Sequence, residues 1–190
     1  MVAEGKSAFF SAFIFFLLLP PSCLALIKIR PAVVPADLPA IKECRLTAFP
    51  DPNKILEAGR SFVNCEKLMR GDGRHVCVVA TEGGRGGPIV GTADVDVGPA
   101  VPVVGNVFVR EDRRGRGIGR SLMEGIEALV SERGGGRPTA LALEVDTQNT
   151  AAVALYESMG FETRGLNGFL SGLSDVTSWS LLVEMEKKLD

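Results

Sequence analysis

The chain is poor in the residues that most often carry metal and redox chemistry. Its 190 residues include one histidine, His75, one tyrosine, Tyr156, and four cysteines. Cys23, Cys44, Cys65 and Cys77 form no Cys-x-x-Cys pair. This spacing argues against a zinc site, and no metal is expected. Cys44 and Cys65 fall in helix-like patterns among apolar neighbours, which reads as buried free thiols rather than a disulfide or a nucleophile. The formal net charge is only −2, so no whole-protein field favours nucleic acid. The full P-loop pattern Gly-x-x-x-x-Gly-Lys-Ser/Thr does not occur. No internal repeat or low-complexity run stands out. What remains is an ordinary composition, 46% hydrophobic with 22 glycines, and a length that suits one α/β domain with a proper core.

Against this background one stretch is dense with signal. Val107 to Val109 form an apolar β-type run that ends in a charged turn, and Gly115, Gly117 and Gly119 follow at alternate positions among Arg113, Arg114, Arg116 and Arg120. An amphipathic helix begins there, with Ile118, Leu122, Ile126 and Leu129 on one face. A strand, a glycine-rich bend and a helix N-terminus together make an anion site. The N–H groups of the first helical turn lack intrahelical acceptors, and the helix dipole favours negative charge there. The arginines add fork-shaped, charge-assisted contacts. A dinucleotide site built on Gly-x-Gly-x-x-Gly is disfavoured, because the third glycine arrives one residue too early. The bland alternative is an exposed turn.

A second segment lies just beyond. Leu141, Leu143 and Val145 alternate with Ala142 and Glu144, which is strand periodicity. Thr147 to Asn149 cap a short Ala-rich helix, and Gly160 ends it before Phe161 opens another strand.

Arg114-Gly115-Arg116-Gly117-Ile118-Gly119 resembles motif A of the GCN5-related N-acetyltransferase (GNAT) superfamily, Arg/Gln-x-x-Gly-x-Gly/Ala. Asn149, Ala152, Leu155, Tyr156, Gly160 and Phe161 match the spacing of its motif B. The resemblance spans roughly residues 26–188, and 107–162 is the specific part. Within motif B the chain looks most like the bacterial ribosomal-protein-alanine N-acetyltransferases.

The resemblance implies a mixed α/β fold, with a central, mostly antiparallel sheet splayed between strands four and five and flanked by helices. It implies an acetyl-CoA-dependent N-acetyltransferase that works by direct attack in a ternary complex. The acceptor would be a primary amine: a protein N-terminus, a lysine or a small amine. A non-catalytic acyl-CoA-binding module is the alternative. Acetyl-CoA, as co-substrate, would meet Arg114, Gly115, Arg116, Gly117, Ile118, Gly119 and Arg120 with its pyrophosphate. Backbone groups of Phe108 and Val109, together with Asn149 and Tyr156, would meet its arm. Tyr156 would protonate the leaving sulfur and Glu144 would serve as base through water. The ordinary readings of these residues are a core tyrosine, a helix cap for Asn149 and a solvated carboxylate. Oligomeric state is left open.

The N-terminus differs in character. Phe9 to Leu19 form an apolar core of signal-peptide length, followed by Pro20, Pro21 and then Cys23-Leu24-Ala25 with small residues at the cleavage positions. Residues 1–25 are therefore expected to be a targeting segment cleaved after Ala25, and 26–190 the catalytic domain. The prolines and the short length argue against stable membrane insertion. Acetyl-CoA is scarce outside cells, so a plastid address reached through a signal-like leader is favoured, with secretion or a membrane anchor as alternatives.

The rest of the layout follows from periodicity and turn signals. A strand is expected at 26–30, then a helix capped by Asp37 with Leu38, Ile41 and Leu46 inward, and a helix at 53–70. A hairpin is expected over 75–97, a last strand at 178–186, and a long glycine-rich loop at 165–177 that could wall the acceptor site.

Overall fold

The computed structural model describes residues 26–48, 65–84, 86–133, 138–166 and 182–189. Its elements are β1 (Ile27–Pro31), α1 (Leu38–Ala48), α2 (helical at 65–70), β2 (His75–Glu82), β3 (Ile89–Asp96), β4 (Val103–Val109), α3 (Ile118–Arg133), β5 (Ala140–Asp146), α4 (Thr150–Ser158), β6 (Glu162–Leu166) and β7 (Leu182–Lys188). A single 3₁₀ turn, Glu111–Arg113, joins β4 to the glycine bend.

The strands form one seven-stranded sheet in the order β1-β2-β3-β4-β5-β7-β6. Every neighbouring pair is antiparallel except β4 and β5, which run parallel. A parallel pair needs a crossover, and α3 supplies it. The expected mostly antiparallel sheet, splayed between its fourth and fifth strands, is thus found.

Apolar alternation places the layers. Ile118, Leu122 and Ile126 of α3 pack with Val78, Leu141, Leu143 and Met185 on one face of the sheet. Leu38, Ile41 and Cys44 of α1 pack with Cys65, Leu68, Cys77, Val79 and Ile89 on the other. β2 is covered on both faces, which explains its unbroken apolar run. The close seat of α3 depends on glycine. A Cβ at Gly125 would lie 2.6 Å from Ile29 Cγ2 and 3.3 Å from Val78 Cγ1.

Several local expectations need adjustment. Asp37 does precede α1, and its carbonyl accepts from the Ile41 N–H at 3.0 Å. Its carboxylate, however, turns away from the helix to take the Val33 N–H at 2.6 Å and both arms of the Arg30 guanidinium. Leu46 is 50% exposed, whereas Cys44 and Arg45 face inward. The last strand is described over Leu182–Lys188, reaching two residues beyond the expected end at 186, and positions 178–181 of the expected strand lie outside the described residues. The loop expected at 165–177 starts later than its glycine suggested, because Gly165 and Leu166 belong to β6 and pair with Glu184 and Val183 of β7. The leader at 1–25, the greater part of the helix expected at 53–70 and the rest of that loop lie outside the described residues.

Candidate active site

The site begins where two parallel strands part. β4 and β5 pair only at Val103 with Ala142 and at Val104 with Leu143. β4 then continues to Val109 and β5 to Asp146 with no further pairing, so a gap opens toward their C-terminal ends. On its other side β4 stays bound to β3, with Phe108 opposite Thr92 and Val109 opposite Gly91. The Arg110 N–H donates to Val90 O at 2.9 Å. In an antiparallel ladder successive residues turn their peptide groups to opposite sides. Arg110 and Phe108 therefore address β3, and Val109 addresses the gap. Val107 joins it there, a position that the sequence did not single out.

The glycine bend follows directly. Gly115 and Gly117 have φ of +74° and +77°, a backbone shape that costs side-chain-bearing residues energy. The Arg114 N–H donates to Glu111 O, and the Ser121 N–H to Gly117 O. Between them the N–H groups of Gly115, Arg116, Gly117, Ile118, Gly119 and Arg120 meet no acceptor among the described residues. They form a continuous run of donors at the positive end of the sixteen-residue helix α3. A Cβ at Gly115 or Gly117 would meet no protein atom within 4 Å, so the space beside both α-carbons is open. These features fit the pyrophosphate of a coenzyme such as acetyl-CoA.

The structure sorts the arginines, which the sequence could only count. Arg113 pairs with Glu82 and Asp112, and Arg110 pairs with Asp112. Arg114 donates through Nε to Val109 O at 3.1 Å, stitching the bend to the end of β4. Arg120 donates to Ser158 Oγ at 2.6 Å, joining α3 to α4. Arg116 is exposed and has no partner among the described residues. Arg116 is thus the guanidinium most available to an anion, while Arg113 and Arg114 shape the loop.

α4 forms the next wall. Asn149 is its N-cap, and Oδ1 accepts from the Ala152 N–H at 3.2 Å, which leaves the side-chain amide donors available. Gly160, at φ +88°, ends the helix, and the Phe161 N–H returns to Tyr156 O at 3.0 Å. Gly119 brings α3 and α4 together: its Cβ would sit 3.1 Å from Leu155 Cδ2. Its place in the motif therefore reflects helix packing as well as ligand approach.

Tyr156 is 6% exposed and lies in the core cluster on the α3 face, with its ring tilted against Phe161 at a centroid distance of 5.9 Å. Burial pushes its phenol up to about 12, because the phenolate would lose its hydration. The hydroxyl has no hydrogen-bond partner among the described residues and is not fully enclosed. It is a protonated donor at neutral pH with no acceptor among the described residues.

Glu144 points the other way. Leu141, Leu143 and Val145 enter the same core as Tyr156, so strand alternation sends Glu144 to the α1 face, where it is exposed. Its cross-strand neighbour on β7 is Glu184. Like charges directly opposite destabilise a sheet. The two candidate proton-transfer groups thus flank the sheet from opposite faces.

Comparison with known proteins agrees with this geometry. A family model described as the acetyltransferase (GNAT) family matches residues 38–161. The N-alpha-acetyltransferase RimI of Mycobacterium tuberculosis is 42% identical over 85 residues, which cover 43% of this chain and 50% of that protein. The [ribosomal protein bS18]-alanine N-acetyltransferase of Escherichia coli is 43% identical over 56 residues, covering 30% of this chain and 36% of the relative. The chain therefore spans half or less of these curated relatives in the matched regions. Among solved structures, a ribosomal-protein-alanine N-acetyltransferase from Brucella melitensis superposes with a TM-score of 0.62 at 28% identity, covering 85% of this chain and 99% of that one.

Proposed function

The chain belongs to the acetyltransferase (GNAT) family, and we propose that it moves an acetyl group from acetyl-CoA to the N-terminal amine of a protein. One observation carries this reading: a run of unpartnered N–H donors, Gly115 to Arg120, opens beside the unpaired edge of β4. A phosphate grip and a free strand edge are what an acyl-CoA needs. The pyrophosphate sits on the bend with Arg116 beside it. The arm runs along the gap, where Val107 and Val109 offer peptide groups and Asn149 offers its side-chain amide.

Direct transfer then needs few parts. Glu144, through water, takes a proton from the incoming ammonium. The amine nitrogen bonds to the thioester carbon, the carbon–sulfur bond breaks, and the nitrogen releases its second proton to water. Tyr156 protonates the departing sulfur, and both groups re-equilibrate with solvent. The two residues approach from opposite faces of the sheet, which suits attack on one side and departure on the other. A phenol near 12 stays protonated but is a weaker acid than an ordinary thiol at about 8.5. Tyr156 therefore acts first as a hydrogen-bond donor to the growing charge on sulfur, and proton transfer completes as the dry site raises the basicity of that sulfur.

A protein N-terminus is preferred over lysine or a small amine because the matched relatives bear the names of N-terminal and alanine acetyltransferases. The test uses the full chain with labelled acetyl-CoA and three acceptor sets: peptides with a free α-amine, N-terminally blocked peptides containing lysine, and polyamines. Mass spectrometry should locate the label on the α-amine. Label confined to lysine or polyamine would overturn the acceptor class. Tight acetyl-CoA binding without turnover on any acceptor would favour a non-catalytic acyl-CoA-binding module. Residues 1–25 are proposed as a cleaved leader toward an organelle, the plastid favoured, on the strength of their apolar run and small-residue site alone.

A further inference from the structure

The β4 edge that faces the gap depends on a kink, and a buried ionic network holds that kink. The β3–β4 ladder runs from Asp94 opposite Gly105 directly to Thr92 opposite Phe108. One β3 residue, Ala93, thus faces two on β4, Asn106 and Val107, which is a β-bulge. Asn106 has φ +51° and is the sole non-glycine residue with positive φ among those described. It sits two residues past Val104, the last β4 residue paired to β5.

Asn106 is anchored from two directions. Its Nδ2 donates to Asp94 Oδ2 at 2.8 Å, and its carbonyl accepts from Thr92 Oγ1 at 3.4 Å. Asp94 in turn receives one nitrogen of the Arg45 guanidinium at 2.6 and 2.5 Å. Arg45 comes from α1 and is only 3% exposed, and the Asp94 side chain is 13% exposed. A charged pair at a helix–sheet interface loses much hydration, and apolar residues of similar size often serve stability as well or better. Such a pair is best explained by what it specifies.

What it specifies is register. A one-residue slip in a strand turns every group to the opposite side. With the bulge at Asn106, Val107 and Val109 address the gap and Phe108 addresses β3. If the bulge relaxed, that order would reverse, and the peptide groups lining the gap would be lost. We propose that Arg45 and Asp94 are positioning residues that act through Asn106 to fix the β4 bulge and so aim the peptide groups of Val107 and Val109 into the gap. The part of this concerning turnover rests on the acetyltransferase reading above. The part concerning register does not.

Two variants of the full chain test it. Arg45→Met with Asp94→Leu removes both charges of the pair together. Asn106→Gly keeps φ near +51° accessible but deletes the side-chain tie. Amide hydrogen exchange of the apo protein should show Phe108 and Arg110 protected and Val107 and Val109 fast in the wild type. That contrast should weaken or invert in both variants. Turnover should fall by about a hundredfold, the scale of a misplaced group, and affinity for CoA, measured calorimetrically, should fall with the lost arm contacts, while affinity for 3′-phospho-ADP, which carries the pyrophosphate without the arm, stays within about threefold because the glycine bend is untouched. Melting temperatures near wild type in either variant would show that stability is not the cause. An unchanged exchange contrast with wild-type turnover would overturn the proposal. If the wild type itself transfers no acetyl group, the function reading fails while the exchange measurement still decides the register.

Discussion

Gly117→Ala separates a ligand-binding role for the glycine bend from a merely conformational one. Gly117 has φ +77° and nothing within 4 Å of its would-be Cβ. Gly73, in the turn before β2, offers a matched control, with φ +69° and equally open surroundings. It lies by the His75–Asp96 end of the sheet, away from the end where Arg113 meets Glu82. Placing a Cβ in left-handed backbone costs about 1–2 kcal/mol at either position. For a protein of this size that lowers the melting temperature by about 2–8 °C. Both alanine variants should therefore melt lower by similar amounts. Binding should differ. At Gly117 the methyl group enters the space in front of the N–H run and displaces a phosphate oxygen from a donor. A hydrogen bond to a charged group contributes about 1.5–3 kcal/mol, or roughly a ten- to hundredfold change in affinity. Calorimetry with acetyl-CoA should show that loss for Gly117→Ala and wild-type affinity for Gly73→Ala. Equal affinities in the two variants, with equal melting shifts, would refute the reasoning and return the bend to a structural turn.

Further outcomes follow from the same geometry. Tyr156→Phe keeps the buried ring, so the melting temperature at pH 7 should hardly move while kcat falls by about ten- to ten-thousandfold; wild-type kcat would leave the tyrosine a packing role. Because the folded-state phenol is raised from 10 to about 12, the stability it contributes is fully present below pH 10 and is lost as pH rises toward 12. Denaturant titrations should show the wild type losing up to about 2–3 kcal/mol over that window relative to Tyr156→Phe, and parallel curves would exclude the shift. Glu144→Gln should lower kcat/KM and flatten the acidic limb of its pH profile while acetyl-CoA affinity is kept; a retained acidic limb would assign the base elsewhere. A chain beginning at Leu26 should fold and bind acetyl-CoA, since β1 starts at Ile27. Native protein that retains Met1 by mass spectrometry would reject cleavage of the leader.

Much of this protein was legible from local chemistry. Several segments among the described residues that carried a turn signal and a period could be placed. Alternation at Leu141, Leu143 and Val145 marked a strand and set Glu144 on its opposite face. The spacing of Ile118, Leu122, Ile126 and Leu129 marked the buried stripe of α3. Asn149 and Gly160 bounded α4, because capping and left-handed termination are satisfied within a few residues. The glycine bend was visible for the same reason: its unpaired N–H groups and positive φ are properties of a short stretch of backbone.

What only the tertiary structure decided depends on groups distant in sequence. Counting arginines could not tell which were already engaged; Arg113 is held by Glu82, 31 positions earlier, and Arg120 by Ser158, 38 positions later. Composition alone gave no reason to place a charged residue of α1 in the interior. Arg45 is buried because Asp94, 49 positions away, neutralises it there. Gly105-Asn106 interrupts the apolar run of Val103 to Val109, but which β3 residue the extra residue faces is a relation between two strands and not a property of one. Local interactions act over a few residues of one segment and can be read from its letters. Ion pairs, registers and the gap between β4 and β5 arise only when the folded sheet brings separate segments together.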